Sequence, residues 1–350
     1  MKQWLETRQV LEAIGAAAAA PSSPAAGTTA PFGAALATVV RVRGSAYRHE
    51  GAKLLVTADA SHTGNVSGGC LEEDVREVAL RVIRTGVAER RSYCGSADEI
   101  AAWDLGVGCE GEVDILVAPV RDAWTAEREA MQAQIPFVVL TALETGARRC
   151  LTGAAAAAFI AVGDSRLEAI DGVETFIDVL TPPPRLLVVS GGDDARHLVR
   201  IAHDVGFRVV VADRRPGLLE ATRFPAGVQI VETDAARLGE RVVLEPNDFA
   251  VTMTHHFADD TDYLRALLQS PVRYLGVLGP RQRTERILSV LRSECPVDDA
   301  RIYGPVGLDI GTDGAEQVAL AVVAELLAVR SGRRPQSLRE RRAPIHLSAD

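Results

Sequence analysis

Apolar residues follow two different patterns along the 350-residue chain. From about residue 184 onward, short apolar runs alternate with longer amphipathic segments. This alternation predicts a parallel sheet whose strands are joined by right-handed helical crossovers. The predicted strands are R-L-L-V-V-S, F-R-V-V-V-A-D, G-V-Q-I-V-E-T, D-F-A-V-T-M-T and V-R-Y-L-G-V-L-G, and the last helix covers about Ala315 to Arg330. The pattern indicates a Rossmann-like, doubly wound parallel-sheet domain over residues 184–330.

The N-terminal half mixes strand and helix patterns without that regular alternation. Residues 1–14 place apolar side chains on one helical face, and the Ala- and Pro-rich stretch after them is typical of a linker. We predict strands at 35–42, 53–58, 112–120 and 135–142, helices from Leu71 to Gly86 and over about 122–134, and short strand-like pieces over 146–181. These elements indicate an α+β domain over residues 35–180, preceded by a separate segment at 1–34.

Consecutive prolines separate the two halves. T-P-P-P at 181–184 is a stiff spacer, because each proline ring fixes its own backbone. A chain of this length also suits two domains better than a single core. The Arg-rich tail at 331–350 is predicted to be solvated and disordered.

Composition argues against several classes of protein. The formal net charge of -9 gives an acidic surface that repels phosphate backbones, so no nucleic-acid partner is expected. Apolar runs stay short of the roughly 18–20 residues that span a bilayer, and no signal-peptide pattern stands at the N-terminus. Five cysteines, an odd number, argue against a disulfide framework. We expect a cytoplasmic protein with no membrane association.

The first strand of the C-terminal half runs into a glycine turn, S-G-G-D-D-A at 190–195. A dinucleotide fingerprint reads G-x-G-x-x-G/A at this place, with the phosphate at the helix N-terminus. Gly192 takes the second glycine position and Ala195 the third, whereas Ser190 replaces the first glycine. The context favours the fold more strongly than it favours a bound dinucleotide.

Charged residues near this turn give evidence both for and against a bound dinucleotide. Asp213 ends the second strand, where an acid binds a ribose hydroxyl, and Arg214 and Arg215 beside it are candidates for a phosphate contact. Asp193 and Asp194, however, place negative charge where a pyrophosphate would bind. A Rossmann scaffold with a degenerate or altered site therefore stands as an alternative interpretation.

Two further loops follow predicted strands, at the edge where open α/β sheets bind ligands, and a third, glycine-rich loop precedes the last helix. The candidate binding residues in them are His255 in M-T-H-H, Arg281 in L-G-P-R-Q-R and Asp309 in G-P-V-G-L-D-I-G. Arg283 lies near Arg281 at the start of a helix, where guanidinium groups and backbone amides bind anions. The alternatives are a structural histidine, a solvated helix face and a plain turn; His256 is expected to be structural.

A glycine-flanked cysteine precedes the first long helix, in the loop S-G-G-C formed by Ser67, Gly68, Gly69 and Cys70. The helix dipole lowers the pKa of a thiol at this position, whereas the acids that follow raise it. G-V-G-C-E-G contains a second such cysteine, Cys109. The alternative for both is a buried structural cysteine. The sequence has no C-x-x-C or H-x-E pattern, so we predict no structural zinc site.

Several of these motifs together resemble one family. A-T-V-V-R-V-R-G-S-A-Y-R, G-A-K-L-L-V-T-A-D, S-G-G-C-L-E-E-D-V and G-V-G-C-E-G resemble the N-terminal half of the XdhC/CoxI family, accessory proteins of xanthine dehydrogenase and related molybdenum hydroxylases. V-T-M-T-H-H-F-A-D-D, Y-L-G-V-L-G-P-R-Q-R-T-E-R and G-P-V-G-L-D-I-G resemble its Rossmann half. The resemblance covers roughly residues 35–330.

The resemblance implies a role in the maturation of the molybdenum cofactor, a pterin dithiolene that carries molybdenum. It implies binding of this cofactor, support of its sulfuration with sulfur from a cysteine desulfurase, and insertion into a molybdenum hydroxylase. Cys70 and Cys109 carry over as the thiol site and as ligands of the cofactor's molybdenum. The candidate cofactor-binding residues are Gly68, Gly69, Cys70, Cys109, Gly192, Asp213, His255, Arg281 and Asp309.

Two other functions remain as alternatives. The first is an NAD(P)-dependent oxidoreductase, which Asp213 favours and which Ser190 and the acid pair disfavour. The second is a non-catalytic scaffold that bridges desulfurase and hydroxylase. A cofactor chaperone without turnover is the preferred interpretation, and a homodimer is one hypothesis for its oligomeric state.

Overall fold

The computed structural model describes residues 1–19, 32–44, 46–94, 111–294 and 296–340 of the chain. The chain divides into two compact units, whose main parts are Lys2–Pro182 and Pro183–Ser337. The division falls inside the proline run. Proline rings fix the backbone and remove amide donors, so neither a helix nor a sheet continues through this run.

The N-terminal unit is built from antiparallel strands and from helices on their faces. Its helices are α1 (Lys2–Ala19), α2 (Glu72–Thr85), α3 (Thr125–Gln132) and α4 (Ala154–Val162). Its strands are β1 (Ala34–Arg43), β2 (Lys53–Thr57), β3 (His62–Gly64), β4 (Glu89–Cys94), β5 (Glu112–Pro119), β6 (Phe137–Ala142), β7 (Arg148–Thr152), β8 (Arg166–Ile170) and β9 (Val173–Leu180).

Two sheets form the framework of this unit, with the strand orders β3-β2-β1-β5-β4 and β7-β6-β9-β8. Side chains of β1 alternate between the two faces of the first sheet, as the strand period requires. Ala35, Ala37 and Val39 pack with helix α2 on one face. Ala34 and Leu36 pack on the other face with α1, α3 and the second sheet. The predicted α+β architecture is confirmed.

Helix α1 is longer than the sequence pattern predicted. It continues through the alanine run to Ala19 instead of ending near residue 14, so the prediction of a linker from residue 15 onward was wrong for residues 15–19. Alanine has the highest helix propensity, and the run therefore extends the helix. Trp4, Val10 and Leu11 are buried in the core, so α1 is an integral part of this unit.

Other elements carried too weak a sequence signal to be predicted. A second alanine run, at 154–158, begins helix α4 within a segment where only strand-like pieces were expected. Strand β4, E-R-R-S-Y-C, lies at the edge of the first sheet and exposes most of its side chains. A polar edge strand shows no apolar alternation, which is the signal that sequence reasoning uses.

A buried ion pair connects the two sheets of the N-terminal unit. Lys53 of β2 is 2% exposed, and its Nζ lies 2.7 Å from Oδ2 of Asp178 in β9. Gln3 of α1 donates to Oδ1 of Asp178 at 2.7 Å, and Lys53 Nζ also donates to the Gly51 carbonyl at 2.8 Å. Protein groups thus compensate both charges, which is the condition for burying them.

The C-terminal unit alternates strands and helices as predicted. Its strands are β10 (Arg185–Val189), β11 (Arg208–Asp213), β12 (Gln229–Glu232), β13 (Phe249–Thr252), β14 (Tyr274–Val277) and β15 (Ile302–Tyr303). Its helices are α5 (Asp193–Asp204), α6 (Leu238–Arg241), α7 (Phe257–Leu268), α8 (Arg281–Arg292) and α9 (Ala315–Ser331).

All strand pairs of this unit are parallel, in the order β12-β11-β10-β13-β14-β15. This is the Rossmann order, with its topological switch point between β10 and β13. Leu186 and Val188 pack on one face with α5 and α9, and Leu187 and Val189 pack on the other with α7 and α8. The predicted doubly wound parallel sheet is confirmed.

We expect Asp178→Asn to lower the free energy of unfolding of the N-terminal unit by about 3 kcal/mol, because it leaves the Lys53 ammonium buried without a counter-charge. Urea unfolding followed by tryptophan fluorescence measures this unit, since every tryptophan precedes residue 182. Glu168→Gln is the control, because Glu168 forms an exposed pair with Arg166 that is worth at most about 1 kcal/mol. Equal effects of the two substitutions would contradict the prediction.

Candidate functional site

The S-G-G-C loop, which joins β3 to α2, is held by a serine and a glutamate. The Ser67 hydroxyl donates to one oxygen of the Glu72 carboxylate. The other oxygen accepts from the Ser67 amide at 2.8 Å and from the Val66 amide at 3.3 Å. Ser67 Oγ in turn accepts from the amides of Gly69 and Leu71 at 3.0 and 3.1 Å. These bonds satisfy amides that have no helical partner and fix the loop.

Glu72 stays ionised in this arrangement. Burial raises the pKa of Glu72, but hydrogen bonds from Ser67 and from the backbone outweigh burial and hold the pKa below its ordinary value of 4.5. The loop is therefore tied to a charged acceptor at neutral pH.

Cys70 is half-buried and lies directly before Leu71, the N-cap residue of α2. The thiol therefore lies next to a helix N-terminus, as the sequence predicts. Gly69 has a φ of 116°, a conformation that glycine adopts without strain. A Cβ added at Gly68 would make ordinary contact with the Tyr47 ring at 3.6 Å. Gly69 is thus the glycine that this backbone requires.

Cys70 lines a small pocket of about 30 Å³, together with Tyr47, Arg48, Tyr93 and Gly111. The Arg48 guanidinium is buried, forms an ion pair with Glu6 and donates to Asn65 Oδ1 at 2.7 Å. Sequence reasoning did not single out Arg48, although it ends the motif R-V-R-G-S-A-Y-R. Its burial beside a candidate thiol appears only when α1 and the loop around Asn65 meet in the fold.

Cys109 lies outside the described residues, so the shared thiol site of two cysteines stays a prediction. Gly111, two residues after Cys109 in the sequence, lines the pocket that contains Cys70.

The turn after β10 depends on Gly191 for a close approach of two backbones. A Cβ on Gly191 would lie 2.5 Å from the carbonyl oxygen of Leu218, whereas one on Gly192 would meet only Ser190 Oγ, at 3.2 Å. Ser190 Oγ accepts from the Gly192 amide at 3.0 Å. The serine at the first fingerprint position therefore stabilises the turn with its side chain. The dinucleotide fingerprint indicated Gly192, whereas the close backbone contact is at Gly191.

Asp213 is buried, and both of its carboxylate oxygens are engaged within the fold. Oδ2 accepts from the Gly191 amide at 2.9 Å, and Arg215 donates to both oxygens through its side chain and to Oδ1 through its amide. Burial raises the pKa of Asp213, but the bonds from Arg215 and Gly191 outweigh it and leave the pKa below its ordinary value. This carboxylate fastens the glycine turn to the end of β11.

The other predicted residues of this unit follow strands at the carboxyl edge of the same sheet. His255 has a φ of 62°, and its Nε2 lies 3.1 Å from Oδ2 of Asp194. Asp309 is exposed in the loop between β15 and α9. His256 is the N-cap residue of α7, so its predicted structural role is confirmed.

Arg281 and Arg283 differ in their environment. Arg281 is exposed at the first position of α8. Nη1 of Arg283 lies 2.7 Å from Oδ2 of the fully buried Asp260 and donates to the Leu278 carbonyl at 3.1 Å. Arg283 therefore joins two loops of the fold, and of these two arginines Arg281 is the one that presents an open guanidinium to an anion.

Metal-ligand clusters and membrane-spanning helices are both absent from the described parts of the chain. These residues contain no group of three or more His, Cys, Asp or Glu side chains that is arranged to hold a metal ion. None of the helices among them has both the length and the hydrophobicity that a bilayer crossing requires.

Comparison with known protein families gives a match in each half of the chain. The family described as "XdhC and CoxI family" matches residues 31–93, and the one described as "XdhC Rossmann domain" matches residues 186–326. The chain belongs to the XdhC and CoxI family. The first match of this family contains the Cys70 loop, and the second contains Gly192, Asp213, His255, Arg281 and Asp309, whereas Cys109 lies between the two matches.

Relatives extend this similarity over most of the chain. The protein is 29% identical over 314 residues to a probable xanthine dehydrogenase subunit of Bacillus subtilis (strain 168), covering 85% of this chain and 93% of that protein. It is 25% identical over 301 residues to the molybdenum cofactor insertion chaperone PaoD of Escherichia coli (strain K12), covering 85% and 84%. The crystal structure of a xanthine dehydrogenase from Bacillus halodurans matches with a TM-score of 0.74 at 29% identity, over 93% of this chain and 96% of that chain.

We expect Glu72→Gln to lower the free energy of unfolding of the N-terminal unit by about 1 kcal/mol near neutral pH, because it weakens the hydrogen bonds that hold the S-G-G-C loop. The folded-state pKa of Glu72 lies below the unfolded one. Its contribution is therefore complete above the ordinary pKa and is lost as the pH falls through the folded-state pKa.

The measurement is urea unfolding of wild type and variant at a series of pH values, followed by tryptophan fluorescence. Glu73→Gln is the control, because Glu73 is an exposed neighbour on the same helix. A difference between wild type and Glu72→Gln that does not shrink in acid would refute this account of the loop.

We expect Gly191→Ala to destabilise the Rossmann unit by about 1–3 kcal/mol, because the added methyl group would overlap the Leu218 carbonyl. Gly192→Ala is the matched control and should cost much less. Far-UV circular dichroism during urea unfolding detects the change, and tryptophan fluorescence should show an unaltered N-terminal unit. A larger loss for Gly192→Ala would show that the fingerprint, and not the observed contact, identifies the essential glycine.

Proposed function

We propose that this protein binds molybdenum cofactor, supports its sulfuration and inserts it into a molybdenum hydroxylase of the xanthine dehydrogenase type. The observation that carries the proposal is the similarity, over 85% of the chain, to a protein named as a molybdenum cofactor insertion chaperone and to one named as a probable xanthine dehydrogenase subunit. Membership of the XdhC and CoxI family supports the same role.

Cys70 is the thiol that the described residues offer for this task. Thiolates are soft ligands that suit molybdenum and that also accept a persulfide sulfur. The pocket beside Cys70, at about 30 Å³, exceeds the roughly 10–15 Å³ that a single water-sized group needs. A sulfur atom carried on Cys70 fits that space. Cys109 joins Cys70 in this proposal on the resemblance of its glycine loop.

The sulfur-accepting step needs no outside oxidant or reductant. The Cys70 thiolate attacks the outer sulfur of a cysteine desulfurase persulfide, so a new S–S bond forms on Cys70. The S–S bond to the desulfurase cysteine breaks, and that cysteine leaves as a thiolate.

Cys94 and Cys150 are the two other described cysteines with which Cys70 can be compared. Cys94 is exposed at the end of β4. Burial, with a smaller contribution from Glu127, raises the pKa of the Cys150 thiol to about 11, so Cys150 is protonated and weakly nucleophilic at neutral pH.

The strand order of the Rossmann unit also suits a dinucleotide, which would support an NAD(P)-dependent oxidoreductase instead. Against this function stand the acid pair at the start of α5 and the engagement of Asp213 within the turn. Calorimetric titration with NAD and NADP distinguishes the two functions. Tight binding together with hydride transfer would replace the chaperone proposal.

We expect Cys70→Ala to reduce activation of an apo-hydroxylase at least about tenfold, because the variant has no thiolate at the pocket. In the measurement, anaerobically purified, cofactor-loaded protein is mixed with the apo-enzyme. Molybdenum transfer is then followed by mass spectrometry, and hydroxylase activity is assayed in parallel. Cys94→Ala and Cys150→Ala are the controls and should behave as wild type. A fully active Cys70→Ala would refute the thiol role, and co-purification of the partner enzymes without any cofactor transfer would favour the scaffold alternative.

A further inference from the structure

The Rossmann unit contains a cavity of about 250 Å³, and the predicted site residues within the described ranges do not line it. It lies between helices α5 and α9 and the carboxyl ends of the central strands. Its walls are almost entirely apolar and are formed by Leu198, Val251, Met253, Leu278, Val306, Val318 and Val322. Ligands of open α/β sheets bind outside this edge, next to the switch point between β10 and β13.

One acidic residue is among those that line this cavity. Asp194, the second residue of α5, lines the cavity, and its Oδ2 lies 3.1 Å from Nε2 of His255. In the part of the chain that the structure describes, no other side-chain partner of Asp194 is seen. His255 holds this position with a φ of 62°, a conformation that costs a non-glycine residue energy and that concentrates at functional sites.

Acidic residues lie next to several lining residues along the chain. Asp193 and Asp194 begin helix α5, and Asp313 and Glu316 lie on either side of Gly314 and Ala315, two residues of the cavity wall. Carboxylate oxygens accept hydrogen bonds, so a group with adjacent N–H donors suits Asp194.

We propose that this cavity binds a flat heteroaromatic ring that presents adjacent N–H donors to Asp194, which is the 2-amino-4-oxopyrimidine edge shared by pterins and guanine. The apolar walls cover the ring faces, and the carboxylate accepts from the ring edge. The volume lies below the roughly 300–1,000 Å³ of drug-sized sites, so it suits a ring system and not a whole dinucleotide. The inference rests on the proposed function, which it deepens by naming the part of the cofactor that this unit holds.

The test is a titration of the full-length protein with neopterin, followed by the fluorescence of the pterin, and with the uncharged nucleosides guanosine and adenosine, followed by calorimetry. We expect neopterin to bind and adenosine to bind at least tenfold more weakly, because adenine places a ring acceptor beside its amino group. Asp194→Asn should weaken neopterin binding about 10- to 100-fold, the range for hydrogen bonds to a charged group.

Two further variants separate ring recognition from general damage. Asp193→Asn removes the neighbouring charge, which pairs with Arg196 and Arg223 outside the cavity, and should change the affinity less than about threefold. Val318→Phe fills the cavity without altering any charge and should abolish binding while circular dichroism stays that of wild type. Equal losses in the two aspartate variants, or full binding by Val318→Phe, would overturn the proposal.

The remaining outcomes identify the source of the ring or separate this inference from the proposed function. Binding of both neopterin and guanosine, each dependent on Asp194, supports the shared edge; binding of only one of them, with the same dependence, supports that ring as the source. Adenosine binding as tightly as neopterin would overturn the inference. Cofactor transfer that depends on Cys70 but not on Asp194 would leave the proposed function standing and remove this site. Neopterin binding that depends on Asp194, without any cofactor transfer, would support this site and refute the proposed function.

Discussion

Buried carboxylates stabilise each of the two units internally, and each carboxylate needs a partner at a fixed place. Among the described residues, five aspartates are at most 3% exposed: Asp114, Asp178, Asp213, Asp248 and Asp260. An uncompensated charge at such depth costs several kcal/mol, so the surrounding chain must supply arginine, lysine or amide donors. Asp114 meets Arg41 and Arg90 from two strands, and Asp248 accepts three bonds from Arg185. Segments that are distant in the sequence are thereby fixed side by side.

The same requirement decides which charged residues at the Rossmann edge remain open to a ligand. Asp213 directs both oxygens to the glycine turn and Arg215, and Arg283 faces Asp260. These groups resemble ligand contacts in the sequence, yet they stabilise the loops that shape the edge. Arg281 and Asp194 lie at the same edge with their charged groups partly or fully exposed. The framework of buried pairs positions these open groups.

The fold was predictable wherever apolar periodicity was strong, and the loop of Cys70 was predictable from a glycine pair before an amphipathic helix. The extent of α1 and the presence of α4 were missed because alanine runs have no amphipathic pattern, although they favour helix. Gly191 and Arg48 could not be found from the sequence. The close contact of Gly191 comes from Leu218, and the burial of Arg48 comes from Glu6, both far away along the chain. Signals that depend on tertiary neighbours are absent from local patterns.

The fastening of the glycine turn by Asp213 limits how this domain can be redesigned. Neutral substitutions at the start of α5 would remove the repulsion of a diphosphate group. A ribose would still meet a carboxylate whose oxygens are already occupied by Gly191 and Arg215. Freeing that carboxylate would release the turn from the end of β11. A ribose at this edge would therefore need an acceptor other than Asp213, at a position that leaves the turn fastened to β11.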